Sequence, residues 1–285
     1  MRIVFVKKLL EIELTNNCNA HCIMCPVHRM KRKKGFMTIE VFEGIITKSQ
    51  KYGMEWIRLC GIGEPLLHKY FCKYVEYVKD RTNCKVELIT NGALLTGKKI
   101  SELMKNKVDR ISISFPSITK KNYERIMRGL TYEDVLKKVL YLIKISQDVP
   151  DVNIRITVIV TKFNCNEIPA IRAFFNEKGI TDIMVHLPHN RGGYLENFYN
   201  IIDRHYYLVN RVEKRKTYCP WPLSAFYIAW DGTALLCCCD LENSFNLGNI
   251  KEVDLETIDK LQQTVNFITP NLCKNCSYCY SKFSI

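Results

Sequence analysis

Apolar positions repeat with two different periods along the first two thirds of the chain. Short runs rich in Val, Ile and Leu are typical of buried strands, and longer stretches with apolar residues three or four positions apart are typical of amphipathic helices. The predicted strands cover Leu9–Leu14, Trp56–Cys60, Lys85–Thr90, Arg110–Phe115, Asn153–Val160 and Asp182–Leu187. The predicted helices cover Ile39–Tyr52, Lys69–Asp80, Lys98–Asn106, Tyr132–Ser146 and Asn166–Lys178.

Six strands that alternate with helices indicate an α/β fold with parallel strands and right-handed crossovers. Periodicity alone leaves a doubly wound sheet and an incomplete barrel open. In both architectures ligands bind at the carboxyl ends of the strands, which is where the polar motifs described below occur. The pattern changes after Leu187, and we expect a first domain over residues 1–200 and a small cysteine-rich domain over residues 201–285.

The composition is that of a soluble globular protein, with 47% hydrophobic and 25% charged residues among 285. No apolar run reaches the roughly 18 residues that a membrane span needs. The apolar N-terminus is interrupted by Lys7, Lys8 and Glu11, and no small-residue cleavage site follows it, so we expect no signal peptide. These features predict a cytoplasmic protein that does not bind membranes.

The net charge of +13 comes from 42 Lys and Arg against 29 Asp and Glu. It is consistent either with a solvated lysine-rich surface or with an acidic partner. The densest basic run, Arg29–Lys34, lies directly after the first cysteine motif. No basic motif interleaved with aromatic residues accompanies it, so we do not expect a nucleic-acid partner.

Fourteen cysteines without a secretion signal indicate metal binding or redox chemistry and not a disulfide framework. Cys18, Cys22 and Cys25 form C-x3-C-x2-C directly after the first predicted strand. Three thiolates are one short of a complete four-cysteine set, so an iron–sulfur cluster held here would have one iron free for another ligand. With His21 the same thiols would also suit zinc.

This spacing, and its position after a first strand, resembles the signature of the radical S-adenosylmethionine (SAM) superfamily. Further motifs follow in the order found in that family: Gly61–Leu67, Thr90–Gly92, Ser112–Ser114 and Tyr123–Gly129. The resemblance covers residues 9–190 and implies a partial (β/α)6 TIM-type barrel. It also implies that a [4Fe–4S] cluster on the first motif cleaves SAM to a 5′-deoxyadenosyl radical.

The resemblance implies a SAM site at the strand ends. Glycine allows backbone to approach the ligand, and a carboxylate pairs with its ammonium group. A serine hydroxyl is implied for the ribose, a methionine for the adenine, and one of two arginines for the carboxylate. The residues concerned are Met24, Gly63, Glu64, Pro65, Thr90, Asn91, Ser112, Ser114 and either Arg125 or Arg128.

A second cysteine group resembles the C-terminal SPASM domain in its shortened form, called twitch. The resemblance implies that Cys219, Cys237, Cys273 and Cys276 hold one auxiliary [4Fe–4S] cluster. Further cysteines do not occur at the spacing of the full domain, and Cys279 is a spare or substitute ligand. Four cysteines that include one C-x2-C pair would also suit a structural zinc.

Three further residues are candidates for catalysis. Arg191 lies in His189–Gly193, and a similar Asn-Arg-Gly-Gly sequence occurs in the aminocyclitol dehydrogenases of the twitch group. An arginine there is suited to hold a hydroxyl or a carboxylate, although it would equally fix the domain junction. Cys238 and Cys239 are either buried turn residues or include an active thiol.

The motifs favour dehydrogenation of a hydroxyl-bearing small molecule such as a sugar or an aminocyclitol. The alternative is an epimerase or a crosslinking enzyme that acts on a peptide. Because the first strand is predicted from residue 9, we expect no N-terminal peptide-binding domain. A zinc-binding interaction module would leave the glycine–glutamate motif unexplained. The expected electron donor is an acidic protein such as flavodoxin or ferredoxin, with the run at Arg29–Lys34 as its docking site.

Overall fold

The computed structural model describes residues 7–210, 219–268, 271–274 and 276–277. Within these residues eight strands form one sheet. The strands are β1 Leu9–Glu13, β2 Trp56–Cys60, β3 Lys85–Thr90, β4 Arg110–Ser114, β5 Asn153–Ile159, β6 Ile183–His186, β7 Ala225–Ile228 and β8 Ala234–Leu235. The helices are α1 Ile39–Tyr52, α2 Phe71–Arg81, α3 Gly97–Lys105, α4 Lys120–Ile126, α5 Tyr132–Ser146, α6 Ile168–Asn176, α7 Phe198–Ile201, α8 Arg204–Asn210, α9 Trp221–Ser224, α10 Leu255–Ile268 and α11 Asn271–Lys274.

The strand order decides between the two architectures that the sequence left open. Neighbouring strands follow β6-β5-β4-β3-β2-β1-β7-β8, and all pairs except β7–β8 are parallel. A doubly wound sheet would reverse its order at a switch point, whereas β1 to β6 lie in sequence order as in an unrolled barrel. The structure therefore confirms the partial barrel, and the six predicted strands appear with boundaries shifted by at most one residue.

The C-terminal part contributes to the main sheet, which the sequence pattern did not predict. Strand β7 pairs in parallel with β1, and Tyr227 is the register partner of Glu11. Strand β7 has four residues, all buried, so it lacks the alternation that marks a longer strand. The division at residue 200 stays a prediction, but β7 brings the cysteines that follow it to the barrel.

The two faces of the sheet have opposite character. On one face, fully buried aliphatic residues such as Leu10, Ile12, Ile57 and Leu59 form the core. Burial of one such side chain is worth about 1.5–3 kcal/mol. The other face carries a belt of alternating charges in direct register across neighbouring strands. Its members are Tyr227, Glu11, Arg58, Glu87 and Arg110.

Ion pairs between adjacent strands neutralise this belt. Arg58 Nη1 lies 2.8 Å from Glu11 Oε1, and Arg58 Nε donates to Glu87 Oε2 at 2.8 Å. Buried carboxylates require such partners because desolvation of an unpaired charge is expensive. The belt forms a polar floor beneath the carboxyl ends of the strands. No helix in the described ranges is long and apolar enough to cross a membrane.

Candidate functional site

The first cysteine motif lies on the loop that follows β1. Cys18, Cys22 and Cys25 are partly exposed, whereas Cys60 and Cys84 are buried in the body of the protein. Burial and the neighbouring Cys25 and Glu64 raise the pKa of Cys18 to about 11, and burial with the neighbouring thiols also raises the pKa of Cys22. A bound cation reverses this preference because it stabilises the thiolates. The three thiols therefore share one loop on which a bound metal centre would stabilise their ionised form.

Backbone contacts fix the shape of this loop. His21 N donates to Arg128 O at 2.7 Å, and Ile23 N donates to Ile126 O at 3.0 Å. On the other side, Asn16 Nδ2 donates to Lys33 O at 2.8 Å, which ties the start of the loop to its continuation. The cysteines are thus held between the end of β1 and the segment after α4.

Gly63 and Glu64 connect the end of β2 to the cysteine loop. A Cβ atom at Gly63 would lie 2.2 Å from Thr15 O, so only glycine fits there. Glu64 N donates to Asn17 O at 2.8 Å. The motif with Gly63, Glu64 and Pro65 is therefore packed directly against the residues that precede Cys18.

The Glu64 carboxylate is engaged within the protein. It is 2% exposed and accepts hydrogen bonds from Thr90 Oγ1 at 2.7 Å, Asn91 N at 2.8 Å and Leu66 N at 3.1 Å. Asn91 Nδ2 in turn donates to Asn19 Oδ1 at 2.8 Å on the cysteine loop. The structure thus brings Glu64, Thr90 and Asn91 together beside the first motif, and contact of Glu64 with the SAM amino group stays a prediction.

The serines on β4 differ in their surroundings. Ser112 is 2% exposed, and its hydroxyl donates to Glu87 Oε1 at 2.7 Å in the charged belt. Ser114, two residues nearer the carboxyl end, is partly exposed. Residues two apart on a strand share a face. Of the two predicted ribose contacts, Ser114 is the one that lies nearer the cysteine motifs along the strand.

The remaining predicted SAM contacts lie around the same loop. The Arg125 guanidinium stacks on Phe163 at 3.8 Å from the ring centroid. The Arg128 side chain is exposed, and its backbone is bonded to the cysteine loop. Met24 is 8% exposed and belongs to the main core. Both arginines are exposed, and the choice between them for the SAM carboxylate stays a prediction.

The second cysteine group surrounds the end of the short hairpin β7–β8. Cys237, Cys239 and Cys276 are buried in one cluster that also contains Tyr227, and Cys238 packs against it. The neighbouring thiols of Cys237, Cys238 and Cys276 raise the pKa of Cys239, and Cys239 N donates to Cys237 Sγ at 3.4 Å. This concentration of sulfur donors fits an iron–sulfur cluster, which is held by cysteine thiolates.

The positions of these cysteines do not test the predicted ligand set. Cys219 acts on the pKa of Cys237, so the two lie near each other. Cys273 O accepts from Cys276 N at 3.1 Å, and Cys279 lies outside the described residues. Among the described residues, no three His, Cys, Asp or Glu side chains converge as they would on a single metal ion. Which four cysteines hold a cluster stays a prediction.

Arg191 lies between the two cysteine groups. Its φ angle is 52°, a left-handed conformation that is uncommon for arginine, and Gly192 and Gly193 continue in the same region. The charges of Cys238, Cys239, Cys25 and Glu11 all act on the pKa of its guanidinium, and Nη1 donates to Cys238 O at 3.4 Å. Such strain is concentrated at functional sites.

The loop that carries Arg191 is fastened to the second cysteine group. Asn190 N donates to Ser277 Oγ at 2.9 Å, and Ser277 N donates to Asn190 Oδ1 at 2.8 Å. Because Ser277 follows Cys276, the two bonds hold the arginine loop in place beside the buried thiols. Arg191 is thereby aimed into the space between both cysteine groups.

The structure corrects the interpretation of the basic run. Arg32 is not a surface charge, because its side chain is 10% exposed and lies 2.9 Å from Glu13 Oε1. The Glu242 carboxylate accepts from Lys31 N at 2.7 Å and from Arg32 N at 2.9 Å. The exposed lysines of the run are Lys31, Lys33 and Lys34.

Sequence reasoning missed two features of the site. Arg32, Glu13 and Glu242 join the loop after the first cysteine motif to the segment after Cys239, across about 210 residues of sequence. Tyr227 stands among the buried cysteines. Neither belongs to a motif, and only the pairing of β7 with β1 places them at the site.

Comparison with known proteins agrees with this geometry. Residues 12–175, more than half of the chain, match the radical SAM superfamily, and residues 219–280 match the SPASM iron–sulfur cluster-binding domain. A tungsten-containing aldehyde ferredoxin oxidoreductase cofactor-modifying protein from Pyrococcus furiosus is 30% identical over 62% of this chain and 51% of its own length. A probable GTP 3′,8-cyclase from Methanocaldococcus jannaschii is 32% identical over 63% and 59%. The chain thus spans between half and three fifths of these relatives.

Solved structures show the same fold over nearly the whole chain. BtrN in complex with AdoMet and 2-DOIA has a TM-score of 0.67 at 18% identity, covering 96% of this chain and 94% of BtrN. Streptococcus suis SuiB bound to the precursor peptide SuiA has a TM-score of 0.72 at 18% identity, covering 95% and 71%. The chain therefore belongs to the radical SAM superfamily, with S-adenosylmethionine, a SAM-binding [4Fe–4S] cluster and an auxiliary iron–sulfur cluster as its cofactors.

Proposed function

We propose that this radical SAM protein oxidises a hydroxyl-bearing small molecule, such as a sugar or an aminocyclitol, to a carbonyl compound. The bound cofactors supply a 5′-deoxyadenosyl radical that removes a hydrogen atom from carbon and an auxiliary cluster that accepts one electron. The alcohol thus loses one hydrogen atom, one electron and its hydroxyl proton, which passes to water. The protein supplies orientation and charge.

The position of Arg191 carries this proposal. The guanidinium lies between Cys25 of the first motif and the Cys238–Cys239 pair, and no carboxylate of the described chain forms an ion pair with it. An arginine presents several fixed donors to an oxygen atom. We propose that Arg191 holds the substrate hydroxyl so that its carbon faces the SAM site and its oxygen lies near the auxiliary site.

The names of the related proteins mention different kinds of substrate or ligand. GTP 3′,8-cyclases match about three fifths of the chain, and SuiB with its precursor peptide shares the fold. BtrN matches over nearly its full length, and it was solved with AdoMet and 2-DOIA. The support for a small hydroxyl compound is this overall match together with the Asn190–Gly193 sequence and the placement of Arg191.

The test is an anaerobic incubation with SAM and dithionite, with 2-DOIA as the first probe and GTP and a cysteine-containing peptide in parallel. We expect a carbonyl product equal in amount to the 5′-deoxyadenosine formed. The variant Arg191→Gln should lose the product but keep its iron, whereas the exposed Arg172→Gln control should keep both. Consumption of GTP or peptide, with no oxidation of 2-DOIA or of other hydroxyl compounds, would refute the proposal.

A second candidate is epimerisation or crosslinking of a peptide. The observation in its favour is the contact between Cys239 Sγ and His189 Nδ1 at 3.6 Å, which places a buried thiol beside Arg191. A thiol there would be placed to return a hydrogen atom to a substrate radical. The dehydrogenase remains the first proposal because it uses Cys239 only as part of the cluster pocket.

The proposed electron donor is an acidic protein such as flavodoxin or ferredoxin. Lys31, Lys33 and Lys34 are exposed on the loop that continues from the first cysteine motif. Phe36, 47% exposed, follows them and adds an apolar contact beside the positive charges. A cytoplasmic location is proposed with this partner, since reduced donors and free thiols both require a reducing compartment.

A further inference from the structure

The Tyr227 hydroxyl is a buried donor for which the described residues offer no hydrogen bond. Tyr227 is 4% exposed, and its hydroxyl oxygen has no partner in this part of the chain. The register partner Glu11 does not accept from it; the Glu11 carboxylate is instead bonded to Arg58 through Oε1 and to the Cys60 thiol through Oε2. An unmade hydrogen bond of this kind destabilises the folded protein unless a bound group accepts it.

The hydroxyl stands in the wall of the second cysteine group. Tyr227 packs in the same buried cluster as Cys237, Cys239 and Cys276, with Cys238 against it. A phenol is protonated at neutral pH, so the Tyr227 hydroxyl is able to donate. The hydrogen-bond acceptors gathered in this pocket are the sulfur atoms of these cysteines.

Tyr123 provides a matched comparison within the same protein. It is fully buried, and its hydroxyl likewise has no partner among the described residues. Its ring packs against Phe115 and Tyr132, at centroid distances of 4.9 and 5.5 Å, and its nearby cysteine is Cys22 of the first motif. The two tyrosines share the same unmade hydrogen bond, and only Tyr227 lies against the second cysteine group.

We infer that the Tyr227 hydroxyl donates a hydrogen bond to a sulfur of the auxiliary cluster and thereby raises the reduction potential of that cluster. Hydrogen bonds to cluster sulfurs and net charge set such potentials. A donor stabilises the reduced cluster, whose sulfurs carry more negative charge. Tyr227 is then a positioning residue that favours electron transfer from the substrate. This inference rests on the proposed function, since it requires an electron-accepting cluster in that pocket.

The test is the midpoint potential of the auxiliary cluster in protein whose Cys18, Cys22 and Cys25 are replaced by alanine, which removes the signal of the SAM cluster. Tyr227→Phe should shift the potential to a lower value, and Tyr123→Phe should leave it unchanged. The potential does not depend on how much protein holds the cluster, so partial occupancy does not affect the comparison. Tyr123→Phe should be at least as stable as the parent, because it removes an unpaired hydroxyl, and Tyr227→Phe should be so only in protein from which the cluster has been removed.

An unchanged potential in Tyr227→Phe overturns the inference, and so does complete loss of iron from that variant while Tyr123→Phe retains it. The measurement needs no substrate, which separates it from the proposed function. A parent protein with no iron in the C-terminal site would instead refute the two-cluster proposal. If the parent protein holds the auxiliary cluster and Tyr227→Phe leaves its midpoint potential unchanged, the inference fails but the two-cluster proposal remains.

Discussion

Cys239 Sγ lies 3.6 Å from Nδ1 of His189, and this contact joins the buried cysteine run to the loop that carries Arg191. Burial and the Arg191 guanidinium lower the pKa of His189 to about 3, so the ring is neutral at neutral pH. A neutral imidazole does not stabilise a thiolate as an imidazolium does. Without a metal, Cys239 therefore remains a thiol, and its role depends on the reaction.

Turnover in heavy water separates dehydrogenation from epimerisation. If the enzyme is a dehydrogenase, mass spectrometry should find no solvent deuterium on the product carbon, and Cys238→Ala or Cys239→Ala should retain product formation. An epimerase would place one deuterium on an otherwise unoxidised product. Its donor-cysteine variant would still form 5′-deoxyadenosine but no product, and that pattern would reverse our assignment.

Iron content tests the two cofactor sites. Protein purified without oxygen should hold about eight iron atoms per chain, as two four-iron clusters. Replacing Cys18, Cys22 and Cys25 by alanine should leave about four and abolish SAM cleavage. Iron and zinc are both measured by elemental analysis. Zinc in the C-terminal site, or unchanged iron in the triple variant, would contradict the assignment.

Replacing Lys31, Lys33 and Lys34 by glutamine should slow reduction by flavodoxin at low ionic strength, because charge steering raises association rates and weakens with salt. Reduction by dithionite should not change. The control replaces Lys121, Lys137 and Lys144, which are exposed on α4 and α5, and removes the same total charge. Equal slowing in both triple variants, or with both reductants, would exclude a docking surface on this loop.

Loss of Arg32 should destabilise the protein. Arg32→Met leaves the Glu13 carboxylate, 3% exposed, without its cation, and a broken buried pair costs about 3–5 kcal/mol. The exposed Lys34→Met is the control, with an expected change within about 0.5 kcal/mol. Chemical denaturation measures both. A small effect at Arg32 would show that it does not join the two cysteine segments as a buried pair.

Alanine at Gly63 and at Gly44 should have opposite effects. The new Cβ at Gly63 would lie 2.2 Å from Thr15 O, whereas at Gly44, inside α1, nothing lies within 4 Å. Overpacking at Gly63 should cost about 1–3 kcal/mol and displace the cysteine loop. Replacing a helical glycine by alanine should stabilise by about 1 kcal/mol. Denaturation midpoints and iron content report both, and tolerance of Gly63→Ala would contradict the close packing.

The sequence by itself determined the barrel strands and the first cysteine motif. Trp56–Cys60 and Lys85–Thr90 occur as predicted, because a strand buried on one face is set by local side-chain pattern. Cys18, Cys22 and Cys25 are close along the chain, so their spacing alone brings their thiols onto one loop. A sequence pattern reports local secondary structure and the proximity of residues that are close along the chain.

The tertiary structure alone decided what depends on contacts between distant segments. Parallel pairing of β7 with β1 places Tyr227 beside Glu11 and carries the cysteine run to the barrel. In the sequence, Arg32 is one charge in a basic run. In the structure its side chain pairs with Glu13 and its backbone N donates to Glu242, so the guanidinium is not a surface charge. No periodicity or residue spacing in the sequence marks either contact. The free energy of a long-range contact depends on where the folded chain brings the two partners together.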